Sequence, residues 1–227
     1  MSGRFSPMSL DHVAVWVTER QALSALLCDH LGMHVIEETD SFTLVGVDAK
    51  LGKLTLFDAE GPRAAGALDR VVLRVHDLED AVGRLPMEVE RDADGVVFEA
   101  PDGLRLGLVE AEGVDFDLHH VVLRLPDPER AASELAAMGF ERRNGHVAVA
   151  DRHVRLLEGN PADGGRPLLN HLAVLVESAH EVQARAPEQG FEIDDVKDAP
   201  NTFAVFLRGP AGVRIEYVEH KPGFSLQ

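Results

Sequence analysis

Cysteine is nearly absent from this chain: Cys28 is the only one in 227 residues. A single thiol excludes a disulfide framework and any thiolate metal site within the chain. Cys28 lies in the helical pattern Ala25-Leu-Leu-Cys28-Asp-His-Leu and reads as a small buried hydrophobe. Basic residues are also scarce, 22 against 39 acidic ones, for a formal charge of −17. That field repels phosphate backbones and anionic membrane surfaces, so neither nucleic acid nor membrane is expected as a partner. The acidity serves solubility. No apolar run reaches membrane-spanning length. The start, Met1-Ser-Gly-Arg-Phe-Ser-Pro-Met, lacks the apolar core of a signal peptide, and a cytoplasmic location is the expectation. What is present, 45% hydrophobic and 27% charged residues, suffices to bury a real core as one domain or two.

Four stretches repeat one strand opening: Leu10-Asp-His12-Val-Ala-Val, Leu68-Asp-Arg70-Val-Val-Leu, Leu118-His-His120-Val-Val-Leu and Leu169-Asn-His171-Leu-Ala-Val. They recur 58, 50 and 51 residues apart, which marks a repeated supersecondary unit. The third position of each copy is polar, at the head of an otherwise apolar strand, and is therefore a candidate ligand position.

Each copy continues through a short helix and three strands. In the third, Asp127 is a candidate N-cap before Pro128, Gly139 closes the helix, and Asn144-Gly145 signals a hairpin. Copies two and four end alike, in Pro101-Asp-Gly103-Leu-Arg-Leu-Gly107 and Pro210-Ala-Gly212-Val-Arg-Ile-Glu216. Alternation puts His120, Val122 and Arg124 on one face, and Val121, Leu123 and Leu125 on the other. His171 and Ala173 oppose Leu172, Val174 and Val176 in the same way. By the same rule His119 and His120 are expected on opposite faces.

Four tandem βαβββ units resemble the vicinal oxygen chelate superfamily of glyoxalases, bleomycin-resistance proteins and extradiol dioxygenases, over about residues 9–219. The resemblance implies an α+β fold in which paired modules curve into half-barrels around a cavity, with helices outside. It places an N-terminal pair at residues 1–112 and a C-terminal pair at 113–227, divided near Gly113. It also implies that His120, His171 and Glu216 converge as two imidazoles and one carboxylate. Such a facial triad suits Fe(II), and also Mn(II), Zn(II) or Ni(II). The first pair is degenerate, because Arg70 has no lone pair for a metal and Gly107 stands where the fourth copy has Glu216. Alignment of the last strands sets Leu157 at the place of Glu216 in copy three, with His153 and Arg155 on that face.

The layout is most similar to extradiol dioxygenases, which implies proton transfer by His153 and substrate contacts from Phe206 and Lys197. Two departures stand out. Phe206 replaces a tyrosine and cannot hydrogen-bond a catecholate oxygen, and Lys197 replaces a histidine in a nearby loop. Three readings follow: a ring-cleaving dioxygenase for a catecholic or vicinal-oxygen substrate, a metal-dependent isomerase, lyase or transferase, and a small-molecule-binding protein without chemistry. Homo-oligomerisation is left open.

Overall fold

A computed structural model describes residues 5–47, 52–92, 95–113, 116–161 and 166–224. Residues 1–4 of the terminal segment and residues 114 and 115 at the expected boundary lie outside them. Four βαβββ modules follow one another. The first is β1 (Ser9–Val17), α1 (Arg20–Leu31), β2 (His34–Glu38), β3 (Phe42–Gly46) and β4 (Lys53–Asp58). The second is β5 (Leu68–Val75), α2 (Leu78–Arg84), β6 (Glu90–Arg91), β7 (Val96–Glu99) and β8 (Arg105–Glu110). The third is β9 (Phe116–Leu125), α3 (Pro128–Ala137), β10 (Glu141–Arg143), β11 (His146–Val149) and β12 (Arg152–Glu158). The fourth is β13 (Leu169–Leu175), α4 (Ala179–Arg185), β14 (Ile193–Asp198), β15 (Thr202–Arg208) and β16 (Arg214–His220).

Local chemistry sets these elements. Asp127 caps α3 by accepting from the Arg130 amide, with Pro128 in the first turn. Asp77 and Ser178 cap α2 and α4 in the same way. Gly145, at φ 76°, makes the turn between β10 and β11. No helix of the described residues is long and apolar enough to cross a membrane.

The strands form two eight-stranded sheets, ordered β14-β15-β16-β13-β1-β4-β3-β2 and β10-β11-β12-β9-β5-β8-β7-β6. The first module therefore shares a sheet with the fourth, and the second with the third. This corrects the expected division into sequential pairs at 1–112 and 113–227. Within a module the opening strand lies parallel to the last, and modules join through antiparallel opening strands, β1 on β13 and β5 on β9. Because the modules share one pattern, their edges match in either pairing. The connection from Glu110 to Phe116 is shorter than those from Asp58 to Leu68 and from Glu158 to Leu169. A short connection favours keeping the second and third modules in one sheet.

Val121, Leu123, Leu125, Leu172, Val174 and Val176 enter the main core with helix residues such as Leu23, Leu27, Leu135 and Val182. The opposite faces carry small separate clusters, Val72, Val109 and Val122 on one sheet and Ala204, Phe206 and Val218 on the other. The alternation read from sequence thus separates helix-covered from cavity faces correctly. The sheets are tied together by Tyr217, whose buried hydroxyl donates to the Met138 carbonyl at 2.6 Å.

One irregularity recurs in every module. In the antiparallel seams the ladder skips Asp11, Asp69, His119 and Asn170, the residue just before each polar register position. Each is a β-bulge, and a bulged residue is released from strict alternation.

Candidate metal centre

His12 on β1, His171 on β13 and Glu216 on β16 converge on the cavity face of one sheet. Register explains the meeting: His12 and Glu216 both lie across from Ala173, and His171 lies across from Ala14. His12 Nε2 is 3.0 Å from His171 Nε2 and 3.1 Å from Glu216 Oε2, which is 2.8 Å from His171 Nε2. His171 and Glu216 are buried, and His12 is partly so.

Three donor atoms at mutual distances near 3 Å suit a single ion. Donors held about 2.1 Å from a metal and at right angles to one another stand about 3.0 Å apart. Glu216 Oε2 is buried without a well-directed hydrogen bond despite its two close nitrogens. An orphaned carboxylate oxygen between two imidazole nitrogens is the arrangement a cation would satisfy.

The bulges supply the outer layer of this centre. His12 Nδ1 faces Asp11 Oδ2 at 3.4 Å, and His171 Nδ1 faces Asn170 Oδ1 at 3.0 Å. With protons on the Nδ1 atoms, both Nε2 lone pairs point at the centre. Asp11 is held in turn by Lys53, at 2.5 and 2.8 Å, and by His220 at 3.3 Å, while Arg214 donates to Asn170 Oδ1 at 3.1 Å.

Electrostatics follow from this crowding. Burial opposes charge on Glu216, but His171 and His12 outweigh it and hold the carboxyl far below its ordinary range. Burial likewise disfavours a His12 cation, yet Glu216 and Asp11 carry its pKa up to about 9. Burial keeps His171 neutral, with its pKa lowered.

Aromatic side chains flank the triad. The Phe206 ring meets His171 edge-on at 5.2 Å, with Phe57 at 6.3 Å from the same imidazole. Trp16 and Phe42 extend the Phe57 side, at 5.3 and 5.6 Å. Of the residues expected from sequence, His171 and Glu216 are together and Phe206 is beside them. Lys197 lies on β14 across from Ala204, largely exposed and 3.0 Å from Asp195.

His120 is not in the triad, and this corrects the expected ligand set. It lies on β9 in the other sheet, because its module pairs with the second and not the fourth. His153 is directly across from His120 on β12, also in that sheet and away from Glu216. Its expected role beside the triad falls with that placement. Arg155, and not Leu157, occupies the place of Glu216: Arg155 lies across from Val122 as Glu216 lies across from Ala173. The corresponding residues in the first two modules are Thr55 and Gly107.

The bulge also overturns the expected opposition of His119 and His120. Their Nδ1 atoms are 2.9 Å apart, on one side of the strand. Assignment to a degenerate half hid His12. The sequence did hold a signal for it: an Asx residue precedes both His12 and His171, as Asp11 and Asn170, whereas His119 precedes His120.

Residues 9–147 match the model of the Glyoxalase/Bleomycin resistance protein/Dioxygenase superfamily, and the chain belongs to that superfamily. Its members are mostly metal-dependent enzymes. No curated protein matches the chain. Solved structures share the fold at low identity. A Bacillus subtilis strain 168 protein, provisionally described as a dioxygenase, is 18% identical over 97% of this chain and 87% of its own, with a TM-score of 0.80. Glyoxalase I from Zea mays is 16% identical over 93% and 92%, at 0.69. The cppA protein from Streptococcus pneumoniae is 16% identical over 94% and 98%, at 0.65.

Proposed function

We propose that this chain is a metal-dependent enzyme that binds a small substrate through two vicinal oxygens, and that its Fe(II) form cleaves catechol-like rings in the extradiol manner. One observation carries this reading: His12, His171 and Glu216 form a two-imidazole, one-carboxylate set. Thr55, which aligns with Glu216 in the first module, adds no fourth charged donor. With His12, His171 and Glu216 as its only protein donors, a bound metal would keep positions free for the oxygens of a small substrate. When bound, the metal supplies Lewis acidity and brings the diol and O2 together. Both oxygen atoms of O2 remain in the ring-opened product, so no external reductant is needed.

The protein groups have separable roles. Asp11 and Asn170 fix the imidazole tautomers. Phe206 and Phe57 form apolar walls for a flat ring, and their packing excludes water from it. Lys197, on the cavity side of the sheet edge, pairs with an anionic substituent of the substrate in exchange for Asp195.

Anaerobic spectroscopy tests the proposal. Fe(II)-loaded protein should chelate a member of a catechol panel through both oxygens, then consume one O2 per yellow ring-opened product. Neither chelation nor oxygen uptake across the panel would end the dioxygenase reading. Conversion without oxygen uptake, with Mn(II), Zn(II) or Ni(II) in place of iron, would identify an isomerase, lyase or transferase. Tight binding with no conversion would identify a sequestering protein.

A further inference from the structure

The second sheet has a histidine cluster of its own. His119 and His120 share one side of β9 because of the bulge, and their rings are 4.9 Å apart. His153 stacks on His120 at 4.5 Å with planes 9° apart, and its ring is 5.3 Å from that of His119. One nitrogen from each of the three lies within 4.8 Å of the others. The rings line an open cleft of about 680 Å³, bounded also by Glu110, Asn144, His146 and Arg155.

We propose that His119, His120 and His153 form a second metal site, distinct from the first, for a borderline transition-metal ion such as Zn(II), Ni(II) or Cu(II). Three imidazoles without a carboxylate select against Mg(II), Ca(II) and Mn(II), which prefer oxygen donors. A tetrahedral ion with donors at about 2.0–2.1 Å sets them about 3.3 Å apart; His119 and His120 already bring their Nδ1 atoms to 2.9 Å, and the stacked His153 ring has to rotate out of its parallel arrangement to aim a nitrogen at the same point. The fourth position faces the cleft and takes water or a small anionic ligand. His146, whose ring is 4.8 Å from His153, borders that opening and donates from Nδ1 to the Asn144 carbonyl. Burial first, then the neighbouring histidines, lower His120 to about 3 and His153 to about 4, so their lone pairs are available at neutral pH. This site does not depend on the reading of the first centre, since its residues belong to the other sheet.

Zn(II) binding separates the two sites. A chelator-stripped chain carrying His12→Ala and Glu216→Gln should still take up about one Zn(II) per chain in equilibrium dialysis. Adding His119→Gln and His153→Gln should weaken that uptake by about 100-fold or more, since loss of even an outer-layer partner costs 10–100-fold. The wild-type chain altered only at His119 and His153 should keep one ion. Circular dichroism checks that each variant is folded. Should a multiple variant fail to fold, His153→Gln alone should alter the visible absorption of the Co(II)-loaded wild-type chain. The proposal is overturned if the His12/Glu216 variant binds no Zn(II), or if replacing His119 and His153 leaves its uptake unchanged. An unaltered Co(II) spectrum in the single variant has the same consequence.

Discussion

At the scale of single residues, the two imidazole donors of the first centre depend on the neighbours that orient them, Asp11 and Asn170. Removing His12, His171 or Glu216 should abolish most metal binding at the first centre, while His120→Ala should leave it intact. Elemental analysis of folded variants that also carry His119→Gln and His153→Gln reads this at the first centre alone. Asp11→Ala and Asn170→Ala should weaken the same site by about 10–100-fold, because they free the imidazole tautomers without removing a donor. The second cluster predicts a pH dependence. His120 and His153 are held to about 3 and about 4 in the folded chain, by burial first and then by neighbouring histidines. In an unfolded chain both titrate near pH 6.5. Between about pH 6.5 and 4 the unfolded state takes up protons that the folded state refuses, so stability falls as pH drops. Urea midpoints of chelator-treated protein should decline across that window, and less steeply in His153→Gln. Equal slopes would show that His153 does not contribute.

Among the elements, the opening strands matter most, since each carries a bulge and a polar register position. The four βαβββ units were legible because apolar alternation, turn residues and helix caps act over a few residues. The bulges were not, because skipping one residue depends on the partner strand and not on the bulged strand alone. Contacts between elements of different modules were equally hidden. Asp102, in the turn before β8, accepts from the Thr18 amide and hydroxyl and from the Glu19 amide at the start of α1. Glu19 itself makes no side-chain cap there. Loss of a cap costs about 1 kcal/mol, or about 2–4 °C in a protein of this size. Asp102→Ala should therefore lower the melting temperature by about that amount. Asp102→Asn should lower it less, because asparagine retains an acceptor oxygen and tolerates the φ of 63° found there. Calorimetry of the two variants measures the difference.

For the whole molecule, the interleaved order of modules decides what can exist alone. Fragment 113–227 has His171 and Glu216 but lacks His12 and β1, the strand that pairs with β13 across the module seam. With His119 and His153 replaced by glutamine to silence the second cluster, it should therefore bind little metal by itself. Mixed with fragment 1–112, it should assemble one-to-one and regain metal, because both sheets need strands from both fragments. Size-exclusion chromatography with elemental analysis tests this. An isolated 113–227 fragment carrying those two replacements that is still compact and metal-bound would contradict the sheet order.

The sequence alone determined the repeat, the α+β class, the helix-covered face of each opening strand, and the candidacy of His171, Glu216 and Phe206. The repeat and the helix-covered faces follow from short-range patterns, period two in a strand and a motif returning at fixed intervals, while the class and the candidacy of Glu216 and Phe206 follow from the family resemblance that those patterns carry. Only tertiary structure decided that the first module meets the fourth, that His12 replaces His120 beside Glu216, and that His153 belongs to a separate imidazole cluster. Modules built on one pattern present similar edges, so the pattern of one module does not specify its partner. That choice is made by the connections between modules and by packing across the whole chain, such as the Tyr217 hydrogen bond to Met138.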